Sequence, residues 1–253
     1  MRKILFLVLV LLSSYLYSCD CGIETVVNKF AYSAFVAKGK IIKNYKNSRG
    51  ENVYKADIKI DKLYKGEKVE SVFVYGRSDE KMGTSCDIFI PVETELIFYA
   101  HKDKSGRLII GMCSGLLYLN KKPSREKEKE IRELKMLKSL SKLNDKDVNK
   151  VKLYPSKIGS LLDDLKGSDS KKKYGIYKLI FSKKLRLKRI KVVDGFTDKN
   201  IDEKIKRIFK NVKWELLRDR DSIKLKNNYT YFLDIYHYPK EKNNKSFYTI
   251  FNL

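Results

Sequence analysis

Four cysteines are the residues of this chain whose type and spacing could do chemistry. Cys19 and Cys21 lie one residue apart, and Cys86 and Cys113 follow at long intervals. Cysteines can bind metals, exchange disulfides or form structural bridges, but this spacing lacks the paired Cys-x-x-Cys motifs of zinc sites. An even count of cysteines in an oxidising compartment predicts two disulfides. Three pairings are possible, and a Cys19–Cys21 bond is the least favourable because its small ring would be strained.

The start of the chain has the layout of a secretory signal peptide. Two basic residues precede an apolar run over Ile4–Leu12, which is too short for a stable membrane span. We therefore expect a signal peptide over residues 1–18, a mature chain that begins at Cys19, and an exported protein that is periplasmic or extracellular. As an alternative, Leu16–Cys19 resembles a bacterial lipoprotein processing site. Lipidation would consume the Cys19 thiol, exclude its disulfide and anchor the protein in a membrane.

The sequence offers little else for catalysis. His101 and His237 are its only histidines, and neither belongs to a metal-binding or nucleophile motif. The glycines form no phosphate-binding loop, and cysteines in disulfides supply no thiolate. We therefore expect a protein that is not an enzyme and has no catalytic residue, no metal site and no cofactor. The enzymatic alternative is a thiol–disulfide enzyme acting through Cys19 and Cys21, which would require both bridges to open.

Positive charge is concentrated in the second half of the chain. The formal net charge of the 253 residues is +24. Residues 19–120 carry 16 Lys and Arg against 13 Asp and Glu, whereas residues 121–253 carry 37 against 18. This asymmetry predicts a domain boundary near residue 120 and an anionic partner for the second half. For an exported protein, peptidoglycan and lipopolysaccharide are the expected anions, and nucleic acid is not. A lysine-rich bias of the genome is the competing explanation.

Five short strands are expected in the first half, after a helix within Glu24–Val36. Their spacing over about 90 residues predicts a small closed or semi-closed β-barrel. Gly39 would mark a bend or bulge in the first strand. The predicted strands are Phe35–Ile42, Val53–Tyr64, Ser71–Tyr75, Glu95–His101 and Arg107–Gly111.

A family resemblance covers this region. The Cys-x-Cys start, the segments AFVAKGKII and YKADIKIDKLYKG, a mid-domain cysteine and a final GMCSG resemble the netrin-like module over residues 19–118. That module includes the N-terminal domain of the tissue inhibitors of metalloproteinases. The resemblance implies an OB-type barrel with the disulfides Cys19–Cys86 and Cys21–Cys113.

The same resemblance implies an alternative function as a metalloproteinase inhibitor. In such an inhibitor the amine and carbonyl of Cys19 would chelate the zinc of the target, and Asp20 would enter its specificity pocket. Thr84 would provide a neighbouring contact. A carboxylate at position 20 does not suit a pocket that is usually apolar, because burying an unpaired charge is costly.

The second half is expected to hold a connector helix and then a strand–strand–helix–strand unit. A narrow apolar stripe that includes Ile131 could dock the connector helix onto a neighbouring surface. Trp214, the only tryptophan, would close the core of the unit. The predicted elements are the connector Ser124–Leu143, a polar stretch Lys166–Lys173, a hairpin of Tyr174–Phe181 and Leu185–Val193, the helix Asp198–Val212 and the strand Tyr229–Tyr238.

This order resembles the C-terminal domain of TonB-like proteins over Lys171–Tyr238. Gly175, Trp214 and the aromatic last strand fit the pattern, whereas Leu216 stands where proline is common. The resemblance implies a periplasmic module whose sheet edge pairs with an extended segment of a receptor. The tyrosines of the last strand are the candidate binding residues, namely Tyr229, Tyr231 and Tyr236. The alternative is that these tyrosines are simply half-buried residues of a strand.

The sequence therefore predicts an α+β protein, mostly β in its first half. After the signal peptide, residues 19–120 would form the netrin-like OB-type barrel, 121–170 a helical connector and polar linker, and 171–253 the TonB-C-like ββαβ domain. The expected function is that of a cell-envelope binding or scaffold protein. Its partner would be an envelope protein or an anionic envelope component, and the membrane would be a partner only through a lipid on Cys19.

Overall fold

The computed structural model describes residues 19, 21–22, 24–81, 83–119, 124–143, 152–216, 227–241 and 244–251. The expected signal peptide and Asp20 lie outside this range. The fold is α+β and forms two compact units. The first unit contains the described residues up to Gly22 together with 37–63 and 67–118, and the second contains 24–36, 64–66 and the described residues from Leu119 onward. Within the described ranges, no helix has the length and apolar character needed to cross a membrane.

Five strands close into a barrel, as the sequence predicts. Their order is β1-β2-β3-β5-β4, and β1 also pairs with β4. The β3–β5 pair is parallel, whereas β2–β3 and β4–β5 are antiparallel. A short sixth strand, Leu117–Tyr118, extends the sheet beside β4. The barrel strands are β1 (Phe35–Asn44), β2 (Val53–Lys65), β3 (Ser71–Tyr75), β4 (Glu95–Lys102) and β5 (Leu108–Ile110), and the sixth strand is β6.

Gly39 is explained by the close approach of two strands. A Cβ atom at this position would lie 2.3 Å from the backbone oxygen of Lys59 and 3.1 Å from the Cα of Ile60. Only a residue without a side chain fits there unless β2 moves away. The glycine therefore allows β1 and β2 to pack closely at this point.

A four-stranded antiparallel sheet forms the centre of the second unit. Its order is β12-β11-β8-β9, and a separate pair joins β10 to β7. The strands are β7 (Leu153–Ser156), β8 (Tyr174–Phe181), β9 (Leu187–Asp194), β10 (Lys213–Leu216), β11 (Tyr229–Tyr238) and β12 (Phe247–Thr249). The helices are α1 (Val26–Tyr32), α2 (Ser124–Leu140), α3 (Ile158–Leu162) and α4 (Lys199–Asn211).

The core of the second unit forms between the sheet and the apolar face of α4. Ile205 and Phe209 are fully buried on this face, and Trp214 is buried in the same core, where its indole Nε1 donates to the backbone oxygen of Phe209 at 3.2 Å. Helix α4 begins after Asp198, whose side chain accepts from the Asn200 N–H and satisfies one free donor of the first turn.

The segment predicted to be a linker contributes to this core. Strand β7 and helix α3 both lie within 121–170, and Leu153, Ile158 and Leu162 are buried in the core beside α4. Residues 121–170 contain few apolar side chains among many polar ones, so the composition of this segment resembles that of a linker. The pairing of β7 with β10 requires a strand about 60 residues away, which local periodicity does not reveal.

Helix α1 belongs to the second unit although it directly follows the N-terminal cysteines. Its N-cap is Thr25, whose side chain accepts from the Asn28 N–H at 3.2 Å. On the side of α2, Lys29 Nζ lies 2.5 Å from Glu133 Oε1, and both side chains are nearly buried. This ion pair links α1 to α2 within the second unit.

Candidate functional site

All four cysteines form disulfides. Cys19 is bonded to Cys86 and Cys21 to Cys113, with Cα–Cα distances of 5.2 and 5.1 Å. This is the pairing that the netrin-like resemblance implies. The sulfur atoms of Cys19, Cys21 and Cys113 lie within 4.8 Å of one another. In the disulfide form, however, they supply no thiolate for a metal or a substrate.

The loop beside Cys86 is organised by Asp87. Its buried carboxylate accepts from the Gly83 N–H at 2.8 Å, from the Thr84 hydroxyl at 2.6 Å and from the Asn52 side-chain amide at 2.9 Å. Burial opposes ionisation of Asp87, but the hydrogen bonds from Thr84 and Asn52 outweigh it and lower the pKa of the carboxyl. Thr84 is exposed beside the disulfide, but its hydroxyl donates to Asp87 and so stabilises the loop.

The candidate binding tyrosines of β11 lie in the protein interior. Tyr229, Tyr231 and Tyr236 are 8%, 2% and 0% exposed. The Tyr231 hydroxyl lies 3.4 Å from the Leu153 backbone oxygen. Strand β11 is covered on both faces because α4 and its core lie on one side and α1 packs against the other. Sequence reasoning missed this cover because α1 is separated from β11 by about 200 residues.

Asp234 holds α1 against β11. Its side chain is fully buried and accepts from the Val27 N–H at 3.2 Å and from the Tyr236 hydroxyl at 2.6 Å. The Tyr236 oxygen also accepts from the Val26 N–H at 3.3 Å. Burial raises the pKa of the Asp234 carboxyl, and the hydrogen bond from Tyr236 only partly opposes this effect. The cluster is a structural anchor, because its polar groups bond to one another and are closed to solvent.

A basic pocket of about 460 Å³ lies within the second unit. Its floor contains buried side chains and its rim is exposed. A volume of this size is in the range of sites for small molecules or for a group at the end of a larger ligand. The lining residues are Glu128, Ile131, Arg132 and Lys135 of α2, Lys171, Lys172, Lys173 and Tyr174 at the start of β8, and Thr197 before α4.

Arg132 and Tyr174 form the buried floor. The Arg132 guanidinium lies 5.2 Å from the ring centres of both Tyr236 and Tyr238, and it donates to the Tyr238 hydroxyl at 3.2 Å. Stacking on two aromatic rings fixes the orientation of this cation. Burial and the nearby Asp194 carboxylate raise the pKa of Tyr174 to about 12, so its hydroxyl stays protonated.

Asp194 connects the elements that surround the pocket. Its carboxylate accepts from the Ser139 hydroxyl of α2 at 2.6 Å, from the Tyr174 hydroxyl at 3.1 Å, and from Lys172. Burial opposes ionisation of Asp194, but the hydrogen bonds from Lys172 and Ser139 outweigh this effect and lower the pKa of its carboxyl. The charge of Lys172 is therefore matched by a carboxylate of the protein itself.

Three other lysines of the pocket are not paired with a carboxylate of the protein. Among the residues that the structure describes, Lys135, Lys171 and Lys173 form no ion pair, and Glu128 is the single carboxylate of the lining. The pocket therefore has a net positive charge and is suited to bind an anion. Residues 171–173 belong to the predicted polar stretch, and they line this pocket. Ile131, which belongs to the predicted docking stripe of the connector helix, also lines the pocket and is 44% exposed.

Neither a scan against protein-family models nor a search of curated proteins found a match to this chain. A functional assignment therefore depends on the residues and contacts described above.

Proposed function

We propose that this protein is an exported, non-enzymatic binding protein of the bacterial cell envelope, and that its second unit binds an anionic envelope component at the basic pocket. One observation carries the proposal: Lys135, Lys171 and Lys173 surround a cavity whose lining contains a single carboxylate, Glu128. Unmatched positive charge around a concave site attracts anions and raises their association rate. Peptidoglycan and lipopolysaccharide are the candidate anions in that compartment.

Export is supported by the cysteines. Cysteines bonded in pairs are typical of the periplasm and of extracellular proteins. We propose that residues 1–18 are removed and that Cys19 keeps its disulfide instead of receiving a lipid. The intact mass of the protein recovered from cells tests this. We expect the mass of residues 19–253 with two disulfides, whereas a lipid adduct on Cys19 would exclude the bond to Cys86.

The first unit is proposed to be a scaffold of the OB type. The barrel order β1-β2-β3-β5-β4, closed by the β1–β4 pair, supports this proposal, as do the two disulfides at its N-terminal end. The succession β8-β9-α4-β10-β11 contains the strand–strand–helix–strand order, with β10 added before the last strand, and likewise supports a TonB-C-like second unit. Strand addition to its β9 edge is not favoured, because exposed Lys188, Arg189 and Lys191 give that edge the charge that protects edge strands from pairing.

Co-sedimentation with purified peptidoglycan and with lipopolysaccharide tests the binding function. The mature protein is compared with a pocket variant, Lys135→Ala/Lys171→Ala/Lys173→Ala. The matched control is Lys183→Ala/Lys184→Ala/Lys210→Ala, which removes equal charge from exposed positions outside the pocket. We expect the pocket variant to bind at least about tenfold more weakly and the control to lose much less, because clustered charges act together on one ligand. Absence of binding to both polymers would refute the proposal, as would equal losses in the two variants.

A further inference from the structure

The charge balance of the basic pocket constrains the anion that it binds; this inference rests on the proposed function. Asp194 already neutralises Lys172. Lys135, Lys171 and Lys173 contribute three positive charges and Glu128 one negative charge, and the Arg132 guanidinium adds a further positive charge at the floor, so at least two positive charges are left for a ligand. A carboxylate would compensate one of them. A phosphomonoester carries about −1.5 to −2 charges near neutral pH and has three acceptor oxygens, so its charge suits the pocket better than that of a carboxylate.

The positions of the three lysines suit the shape of such a group. Lys135 projects from α2, whereas Lys171 and Lys173 belong to the segment that leads into β8. Ammonium groups from two elements can therefore approach a phosphate from different sides. A lysine binds as a point charge with three donors and does not require the planar, two-point geometry of an arginine.

The remaining lining residues indicate what carries the phosphate. The cavity of about 460 Å³ has room for more than one phosphate group. Ile131 offers an exposed apolar surface, the Thr197 hydroxyl can donate or accept, and the Glu128 carboxylate can accept from a hydroxyl. An apolar face with hydroxyl partners nearby is the environment that a sugar ring requires.

We infer that the pocket binds a phosphomonoester carried on a sugar. Two sources supply this chemistry, a free sugar phosphate and the phosphorylated headgroup of an envelope glycolipid. In both forms the phosphate would lie among Lys135, Lys171 and Lys173, with the sugar against Ile131 and Glu128.

Calorimetric titration of the mature protein at low salt tests the ligand class with three probes of similar size. Glucose 1-phosphate is the phosphomonoester, glucuronate is the matched carboxylate and glucose is the neutral sugar. We expect glucose 1-phosphate to bind at least about tenfold more tightly than glucuronate, and glucose not to bind. Lys171→Ala/Lys173→Ala should remove this preference, whereas Lys183→Ala/Lys184→Ala should keep it. The unfolding midpoint reported by Trp214 fluorescence shows that each variant is folded.

A second arm distinguishes the two sources of the ligand. Vesicles that contain a phosphorylated glycolipid are compared with vesicles in which a phosphatase has removed the phosphate. Binding that requires both the phosphate and the pocket lysines supports the inference and assigns the lipid-borne source, even if the soluble sugar phosphate binds weakly. Equal affinity for glucose 1-phosphate and glucuronate would overturn the ligand class and leave anion binding intact. Loss of all binding to anions, polymers included, would refute the proposed function as well.

Discussion

Two buried aspartates have opposite electrostatic environments, and each holds a different part of the molecule. Asp87 receives four hydrogen bonds, one each from Asn52 and Gly83 and two from Thr84, and these lower its pKa despite burial. Asp234 is fully buried in the second unit, where desolvation raises its pKa. Both carboxylates receive several hydrogen bonds, so the difference lies in desolvation: Asp234 is completely closed to solvent, and there the cost of burying the charge exceeds what the hydrogen bonds return.

At Asp87 we expect the substitution Asp87→Ala to destabilise the first unit by about 2–3 kcal/mol, because it leaves buried donors of the loop without an acceptor. Since the pKa of Asp87 is lowered on folding, its contribution to stability is present above the pKa of the unfolded chain and lost as the pH falls through the folded value. Urea unfolding followed by hydrogen exchange of the barrel strands, at neutral and acidic pH, measures both effects. A variant as stable as the original protein at neutral pH would contradict this role.

Asp234 is expected to have the opposite pH dependence. Because its pKa is raised on folding, its contribution to stability is complete below the unfolded pKa and declines as the pH rises through the folded one. Asp234→Ala should lower the free energy of unfolding of the second unit by about 2–3 kcal/mol, since the Val27 N–H and the Tyr236 hydroxyl lose their acceptor. Trp214 fluorescence in urea measures this. Asp234→Asn, which keeps one acceptor oxygen, serves as the control and should be less destabilised.

At the scale of elements, the two disulfides and helix α1 determine how the start of the chain is held. The disulfides close loops of 67 and 92 residues in the first unit. Five residues beyond Cys21, α1 begins; it belongs to the second unit and packs on β11 and α2. The contacts of α1 cover Tyr236, whereas Tyr229 and Tyr231 are buried in the core beside α4.

Removing one disulfide tests how much that bridge stabilises the strands of the first unit. In the chain-entropy model, a bridge that closes a loop of this length stabilises the fold by about 4 kcal/mol. Cys21→Ser/Cys113→Ser should therefore accelerate hydrogen exchange in β4 and β5 strongly. Trp214 lies in the core of the second unit and provides an internal reference for that unit. Unchanged exchange in the barrel strands would show that the bridge adds little to the stability of the first unit.

At the scale of the whole molecule, charge is distributed unevenly. Most of the excess of basic residues belongs to residues 121–253, and a part of it surrounds the pocket. Many other lysines among the described residues stand at exposed positions, where charge contributes long-range attraction. The proposed function therefore predicts two kinds of anion binding, a diffuse one at the surface and a local one in the pocket.

Salt should separate these two contributions. The Debye length falls from about 14 Å to about 4 Å when the ionic strength rises from about 50 to about 500 mM, so diffuse attraction is screened before close contacts are. We expect binding to anionic vesicles that lack sugar phosphates to fall at least about tenfold over this range, and binding of glucose 1-phosphate to fall less. Flotation assays and calorimetry on the same protein sample measure the two. A parallel decline of both would indicate that the pocket adds nothing to surface attraction.

The sequence by itself determined the features that depend on neighbouring residues. The alternation of β2 and β8, the apolar face of α4 and the helical spacing within Glu24–Val36 are local patterns, and the predicted elements at these places agree with the structure within a few residues. The tertiary structure alone decided which distant parts meet. Burial of the β11 tyrosines depends on the core beside α4 and on α1, and the pocket brings Lys135, Lys171 and Thr197 together from separate parts of the chain. Such contacts are set by the packing of apolar faces across long stretches of chain, and no local spacing records them.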